Sequence, residues 1–366
     1  MNFALTEEQA MIREAAETFL ADACTSEAVR AAMDSAQGYD AQVWQSLAEE
    51  LGWCGLAVPE VWGGLGLGAV EVMLVQEQAG YRLLCAPFFS SVCVATTVLA
   101  QCGDDAVRED LLPQLAAGQC RMSMALPSVA EGFLASEVSA QSDGECWLLS
   151  GTLARVPDAQ DVDQLLVVAR AGDELGLFVV EATALSFEMH TTWDSSRRFS
   201  QACLSAVPAR RCDGADLAAQ LAHCNALVSL YIAAEQLGGA QRCLDLTVAY
   251  VAERKQFGRP VGSFQAVKHR AAQMMIQIEA ARSAVYGAAA VAAGQEAGLK
   301  LDVAAARALA TEALQYCAGE AIQLHGGVGF TWEYDPQLFF KRGQASAHWL
   351  GNPQAQRAAI ASALLD

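Results

Sequence analysis

Apolar residues change their spacing twice along the chain, and the two changes divide it into three stretches. Up to about residue 120 they recur at three-and-four intervals, the period of amphipathic helices. Thr6-Glu-Glu-Gln9 has the spacing of a capping box that opens the first helix, and Trp44, Leu47, Leu51 and Trp53 begin another apolar stripe. From about Gln119 the period drops toward two. Short β-rich runs, Trp147-Leu-Leu149, Leu165-Leu-Val-Val168 and Leu177-Phe-Val-Val180, alternate with turn signals at Ser150-Gly151, Pro157-Asp158 and Gly172-Asp173. After about residue 215 the helical period returns. Leu227, Leu230, Tyr231, Ala234, Leu237, Leu244, Val248 and Val251 predict one long amphipathic helix running to Arg254. Gly258 can take the left-handed conformation that closes a helix, and Pro260 cannot continue one. Helix, strand and helix blocks in succession predict an α+β fold: an N-terminal all-helical domain over 1–120, a middle β-domain over 121–215 and a C-terminal helical bundle over 216–366. There is no internal repeat and no low-complexity linker.

Composition narrows the function classes. At 366 residues and 53% hydrophobic the chain is long enough for two or three domains with cores of their own. A net charge of -19 argues against nucleic acid, whose phosphates require a basic surface. The 12 cysteines are scattered among apolar residues without paired metal-ligand spacing, so they read as reduced core residues of a cytoplasmic protein, and no metal site is expected. The acidic start lacks the basic segment of a signal peptide. The most apolar run, 86–99, is interrupted by Pro87, Ser90 and Ser91 and is too short and polar to span a membrane.

The chemistry concentrates where the long helix ends. Arg254, Lys255, Phe257, Arg259 and Gln265 lie within one corner, where a guanidinium can hold phosphate oxygens bidentately and a phenyl ring can stack on a flat ring. Basic residues at a helix end equally serve as complements to the helix dipole. The glycines of Pro59-Glu-Val-Trp-Gly-Gly-Leu-Gly-Leu-Gly68 invite a phosphate-cradle reading, but no Lys-Ser/Thr follows and no strand precedes, so they read as a tight turn needing positive backbone angles.

Two blocks carry a family resemblance. Glu253-Arg-Lys-Gln-Phe-Gly-Arg-Pro-Val-Gly-Ser-Phe-Gln265 resembles the helix corner of the acyl-CoA dehydrogenases, and Gln323-Leu-His-Gly-Gly-Val-Gly-Phe-Thr-Trp-Glu-Tyr334 resembles the same family's glycine turn. The 59–68 loop, Glu77-Gln-Ala-Gly80 and Pro87-Phe88 also match it, so the resemblance runs over nearly the whole chain. It implies an acyl-CoA dehydrogenase-like fold with a C-terminal four-helix bundle, FAD as cofactor, an acyl-CoA thioester as substrate and an electron-transfer flavoprotein as electron acceptor. It further implies that Arg254, Phe257, Gln265, Gln323, Gly326 and Gly327 contact the FAD of a neighbouring subunit. The wide apolar stripes of the C-terminal helices predict packing against like helices in a dimer of dimers.

The sequence also departs from that family. Where the family carries Thr-Glu-x-x-x-Gly-Ser-Asp and Trp-x-Thr segments that seat the chain's own flavin, this chain has Leu126-Pro-Ser-Val-Ala-Glu-Gly132 and Ala154-Arg-Val-Pro157. The usual catalytic glutamate, 24 residues beyond Gly326, falls on Leu350, followed by Gly351 and Asn352. The family's alternative base position falls on Val228 or Ser229, and neither can take a carbon-bound proton. Glu235 is the nearest acid on the long helix, either a displaced base or a polar residue at a helix interface. Glu333 reads as structural, and His269, His325 and His348 as isolated, hydrogen-bonded residues.

The residues that reach a neighbour's flavin are kept and those that serve the chain's own chemistry are lost. This implies the non-catalytic partner in a heteromeric acyl-CoA dehydrogenase, a heterotetramer containing a second acyl-CoA dehydrogenase-like subunit, as in bacterial relatives that act on bulky sterol-derived thioesters in steroid catabolism and lipid metabolism. Two alternatives stand beside it: a self-sufficient homotetrameric dehydrogenase with Glu235 as displaced base, and a non-catalytic CoA-thioester-binding scaffold.

Overall fold

In the computed structural model, which describes residues 4–129, 131–144, 146–294 and 298–365, helices open and close the chain around a small β-structure. Residues 1–3 of the acidic start and Ala130 of the 126–132 segment lie outside the described residues. The N-terminal helices are α1 (Glu7–Ala23), α2 (Ser26–Asp34), α3 (Ala41–Gln45), α4 (Ala69–Arg82), α5 (Thr97–Cys102) and α6 (Asp105–Ala116). The capping box forms as expected: Thr6 Oγ1 accepts from the Gln9 amide at 3.1 Å, and Gln9 Oε1 accepts from the Thr6 amide at 3.1 Å. The 59–68 loop is a turn, with Gly63 and Gly66 at φ 80° and 64°.

Seven strands follow: β1 (Met122–Met124), β2 (Ser139–Ser142), β3 (Trp147–Pro157), β4 (Gln164–Ala171), β5 (Glu174–Glu181), β6 (Phe187–Met189) and β7 (Phe199–Arg211). The order β4-β2-β3-β7-β5, with β5 pairing back to β4, closes a ring, and β1 and β6 attach to its edges. Most pairings are antiparallel; β1–β4 and the short β2–β4 contact are parallel. The two-residue period explains the two cores. Leu165, Val167, Phe178 and Val180 point into the ring, whereas Leu166, Val168, Leu177 and Val179 join the helical core.

The C-terminal helices are α7 (Leu217–Glu253), α8 (Gln265–Gly294), α9 (Leu299–His325), α10 (Pro336–Ser346) and α11 (Pro353–Leu365), with a hairpin of β8 (Lys255–Gln256) and β9 (Arg259–Pro260) after α7. Among the described residues α7 is the one helix long and apolar enough to cross a membrane, but 67% of its most apolar window is buried in the fold, as befits a central core helix. At its crossing with α4 the two backbones touch: a Cβ on Gly238 would lie 1.9 Å from the Glu77 carbonyl oxygen, and one on Gly80 would lie 2.0 Å from that of Glu235. Glycine is required there because only bare backbone fits. Glu77 then ties α4 to α8, accepting from Arg282 Nη1 and the Tyr286 hydroxyl at 2.8 Å each.

Two sequence readings need correction. Val248 is 48% exposed, because it lies off the buried stripe that Cys243, Leu244, Thr247 and Val251 carry to the end of α7. Ten cysteines are buried and free, but Cys146 and Cys203 are exposed, the first in the turn before β3 and the second on the outward side of β7.

Candidate functional site

The corner after α7 is a tight hairpin. β8 pairs with β9 in a two-residue turn, Phe257-Gly258, with φ of 54° and 78°. Two positive φ values in succession are the mirror-image turn that suits a hairpin's twist, and a phenylalanine in the first place is strained. The consequence is outward projection: Phe257 is 92% exposed. Its ring meets Phe264 edge-on at 6.2 Å, and the Arg259 guanidinium lies 4.0 Å over Phe264. The Val261 amide donates to the Arg254 carbonyl at 2.7 Å, which folds the chain back beside the end of α7.

The second block lies alongside. Tyr250, one turn before Arg254, stacks on His325 with centroids 4.3 Å apart and planes 20° apart, and its edge meets Tyr334 at 5.9 Å. His325 is thus a packed residue: Nδ1 lies 2.7 Å from the Ala321 carbonyl, and burial pushes its pKa down. This stack joins the ends of α7 and α9, so Arg254, Phe257, Gln323, Gly326 and Gly327 emerge on one exposed end of the bundle, with Gln265 at the start of α8. Arg254 forms no ion pair among the described residues. A Cβ at Gly326 or Gly327 would meet nothing within 4 Å, so this backbone is open to a close-lying ligand. Gln265 Nε2 sits 2.7 Å from His269 Nε2. Exposed guanidinium, aromatic ring, amides and bare backbone fit the polyphosphate and flat ring of FAD. Glu333 is exposed, its pKa held down by a hydrogen bond with Thr331.

The interior behind Leu350 is different. Leu350 is buried, at φ 51°, and its amide donates to the Pro127 carbonyl at 2.9 Å. Asn352 Oδ1 accepts from the Ala355 amide at 2.9 Å and starts α11. The turn thus carries a buried aliphatic side chain. Arg155 donates from Nη2 to the Leu126 carbonyl at 3.0 Å, and the Leu126 amide donates to the Arg155 carbonyl at 2.8 Å, which joins the 126–132 and 154–157 segments along one wall of a cleft of about 420 Å³.

Glu235 lies at the centre of a buried ion cluster. Oε1 accepts from Arg342 Nη1 at 2.8 Å and Arg197 Nη1 at 3.1 Å; Oε2 accepts from Arg197 Nη2 at 2.9 Å and Gln76 Nε2 at 2.6 Å. Arg342 Nε also donates to Asp194 Oδ2 at 2.7 Å. Burial alone pushes the Glu235 pKa up, but Arg197 and then Arg342 outweigh it and hold the carboxylate below its ordinary value. A base for a carbon-bound proton needs the opposite, a raised pKa and a free lone pair. This geometry is that of an ion-pair anion and speaks against the displaced-base reading of Glu235: each of its oxygens already has two partners. The Arg197 guanidinium is itself sandwiched, 4.4 Å from the Phe89 ring and 5.1 Å from Trp349. A cavity beside it, lined by Asp158, Ser196 and Arg197, holds about 10 Å³, room for no more than one water.

Sequence reasoning missed this cluster. Its members, Gln76, Asp194, Arg197, Glu235 and Arg342, come from four distant segments, and the one available signal was the presence of Glu235 and Arg342 within otherwise core-facing helical stripes. Arg307 was missed for the same reason. It is buried, donates to Gln236 Oε1 at 2.7 Å and to the Ser346 and Trp349 carbonyls at 2.7 and 3.0 Å, and burial pulls its pKa down to about 9. It thereby fixes the chain just before Leu350.

Comparison with known proteins places this architecture. Residues 6–119 match the family model "Acyl-CoA dehydrogenase, N-terminal domain" and residues 229–365 match "Acyl-CoA dehydrogenase, C-terminal domain". The chain is 34% identical over 354 residues to acyl-CoA dehydrogenase IpdE2 of Mycolicibacterium smegmatis, covering 96% of this chain and 97% of that one. It is 34% identical over 348 residues to IpdE2 of Mycobacterium tuberculosis, covering 95% and 94%. Among solved structures it resembles the Tcur3481-Tcur3483 steroid ACAD G363A variant, with 32% identity, 98% of each chain covered and a TM-score of 0.88. It also resembles the ChsE4-ChsE5 complex from Mycobacterium tuberculosis, with 28% identity, 100% and 99% covered and a TM-score of 0.91. Carrying both terminal domains of that family on its fold, the chain belongs to the acyl-CoA dehydrogenases.

Proposed function

We propose that this chain is the non-catalytic partner in a heteromeric acyl-CoA dehydrogenase, in which it lends its exposed bundle end to a flavin seated by a neighbouring acyl-CoA dehydrogenase-like subunit. The observation that carries the reading is an opposition within one molecule. Arg254, Phe257, Gln323, Gly326 and Gly327 stand exposed, whereas the base position is a buried Leu350 backed by the closed Arg197–Glu235–Arg342 cluster.

In this reading Arg254 neutralises phosphate charge, Phe257 packs on the adenine or ring system, and the bare backbone at Gly326 and Gly327 allows close approach. Bound FAD would accept the β-hydride during α,β-desaturation of an acyl-CoA thioester. Neither candidate position among the described residues offers an acceptor for the α-proton: Leu350 has no basic group, and Glu235 is engaged by two guanidiniums. Removal of that proton therefore falls to the neighbouring subunit. The similarity to a steroid ACAD and to the two-component ChsE4-ChsE5 complex supports a heteromer acting on a bulky, sterol-derived acyl group, with an electron-transfer flavoprotein taking the electrons.

The test is purification of the chain alone and together with a candidate partner. The chain alone should lack a stoichiometric flavin spectrum, and the mixed complex should carry one and reduce an electron acceptor with acyl-CoA. A yellow, active chain without any partner would sink the proposal, and a mixed complex whose flavin content ignores this chain would favour a scaffold.

A further inference from the structure

A second site lies where the N-terminal helices meet α7 and α10. Its cavity of about 220 Å³ is lined by Arg30, Arg82 and Arg242, with Asp335 as its one lining carboxylate among the described residues. Three guanidiniums around one space are unexpected in a chain of net charge -19. Only Arg30 has a carboxylate partner, Asp335 at 2.6 Å, and its other N–H groups are taken by the Trp332 and Tyr334 carbonyls at 2.7 to 3.2 Å. Arg82, at the end of α4, and Arg242, on α7, form no ion pair among the described residues. Both guanidiniums lie over the ring of Tyr81, at 5.2 and 5.3 Å from its centroid, and Arg242 also hydrogen-bonds the Tyr81 hydroxyl, so two like charges share one aromatic ring with no carboxylate in ion-pair contact with either. The nearby Asp245 is already engaged, accepting from the Tyr81 hydroxyl at 2.8 Å and Gln241 Nε2 at 2.9 Å. Arg82 Nε is buried and has no hydrogen-bond partner at all. A buried cationic donor left unpaired is costly, and such groups are ordinarily matched. Across the cavity, Thr25 and Ser26 bring the first turn of α2: Thr25 Oγ1 accepts from the Ala28 amide at 3.2 Å and Ser26 Oγ is tied to Asp335 and Arg30, and the helix start as a whole favours negative charge.

We propose that this cavity binds a phosphoryl oxyanion, held by Arg82 and Arg242 against the start of α2. The volume is below the roughly 300 Å³ at which pockets for whole drug-sized ligands begin. It therefore suits inorganic phosphate, pyrophosphate or the terminal phosphoryl group of a nucleotide. A carboxylate would satisfy one guanidinium fork; a phosphoryl group offers oxygens to two at once. Because Arg82 belongs to α4, Arg242 to α7 and Thr25 to the cap of α2, the anion would bridge helices from both ends of the chain. The inference is independent of any flavin at the bundle end, which lies on other residues.

The experiment is calorimetric titration of the full chain, in whatever assembly it purifies, with inorganic pyrophosphate and separately with ADP at fixed ionic strength. Saturable binding and a raised unfolding temperature are expected. Arg82→Met and Arg242→Met should each weaken pyrophosphate binding roughly tenfold or more, and Arg82→Lys, which keeps charge but loses the fork, should lose less. Tighter binding of ADP than of pyrophosphate would assign the phosphoryl group to a nucleotide, and the reverse to a free anion. Without added anion, Arg82→Met should unfold at the same or a higher temperature, since it removes an uncompensated charge. No saturable binding, binding undiminished in both methionine variants, or a marked loss of stability in anion-free Arg82→Met would overturn the proposal.

Discussion

Replacing Glu235 with glutamine separates a structural anion from a catalytic base. Asp194, Arg197, Glu235 and Arg342 form a buried cluster with two negative and two positive charges, every N–O contact between them lying at 2.7 to 3.1 Å. Glu235→Gln keeps the shape but leaves the cluster with one excess positive charge. Arg342 retains Asp194; Arg197 loses its ion-pair partner while buried between Phe89 and Trp349. Breaking a buried pair from one side costs about 3–5 kcal/mol, because the remaining charge stays desolvated. For a chain of this size that should lower the unfolding midpoint by roughly 4 to 7 °C. The double variant Glu235→Gln with Arg197→Met restores neutrality and should recover most of the loss. The pH dependence has a definite sign. Glu235 is held below its ordinary pKa, so its contribution is complete at neutral pH and is lost as the pH falls through the depressed folded value. The difference between parent and variant, measured by denaturant unfolding, should therefore shrink only in acid. Turnover per folded complex should hardly change. A variant of unaltered stability whose rate falls by about 10² to 10⁴, the range of a lost general base, would refute this account.

Arg254→Ala should leave the fold intact and weaken flavin retention in the assembled complex by roughly tenfold or more, the worth of about 1.5–3 kcal/mol for a charge-assisted phosphate contact; unchanged flavin content at limiting FAD would contradict it. Leu350→Glu in the isolated chain should not create dehydrogenation, because the new carboxyl would be buried among apolar groups and the 154–157 segment carries Arg155 and Pro157 where the family has Trp-x-Thr; acyl-CoA-dependent reduction of an acceptor by that variant alone would show otherwise. Gly238→Ala should destabilise by more than the about 1–3 kcal/mol typical of overpacking, since its Cβ would meet a backbone oxygen at 1.9 Å, and a denaturation midpoint equal to the parent's would show that α4 and α7 can separate without loss.

Sequence periodicity revealed what depends on local pattern. The capping box at Thr6, the change to strand spacing and the long α7 stripe are each written within a few residues, and the structure bears them out. The exposed corner was legible too, because Arg254, Phe257 and Gly258 are contiguous. The strain was less so: Gly258 announced a left-handed turn, but that Phe257 shares it follows from the register of Lys255 with Pro260. The ion cluster was illegible because its charges compensate only in three dimensions. Glu235 on α7 is matched by Arg197 from the loop before β7 and Arg342 from α10, and no spacing along the chain records that match. In isolation an acid inside an apolar helix invites a catalytic reading, and geometry reverses it.

Two non-glycine residues in the left-handed region, Phe257 and Leu350, show how differently the two ends of the molecule are maintained. Each bears a backbone cost of order 1–3 kcal/mol that surrounding structure must offset. At Leu350 the offset is visible: the side chain is buried, its amide reaches Pro127, and Arg307 holds the carbonyls of Ser346 and Trp349 just before it. At Phe257 the ring is almost wholly exposed, and the turn is held by the short β8–β9 pairing, the Val261–Arg254 backbone bond and an edge contact with Phe264. An exposed aromatic ring on a strained turn gains nothing from burial within its own chain. Its compensation is therefore to be sought outside the chain, in a surface that covers Phe257 together with the neighbouring guanidinium of Arg254, which is the surface that the partner-subunit reading supplies.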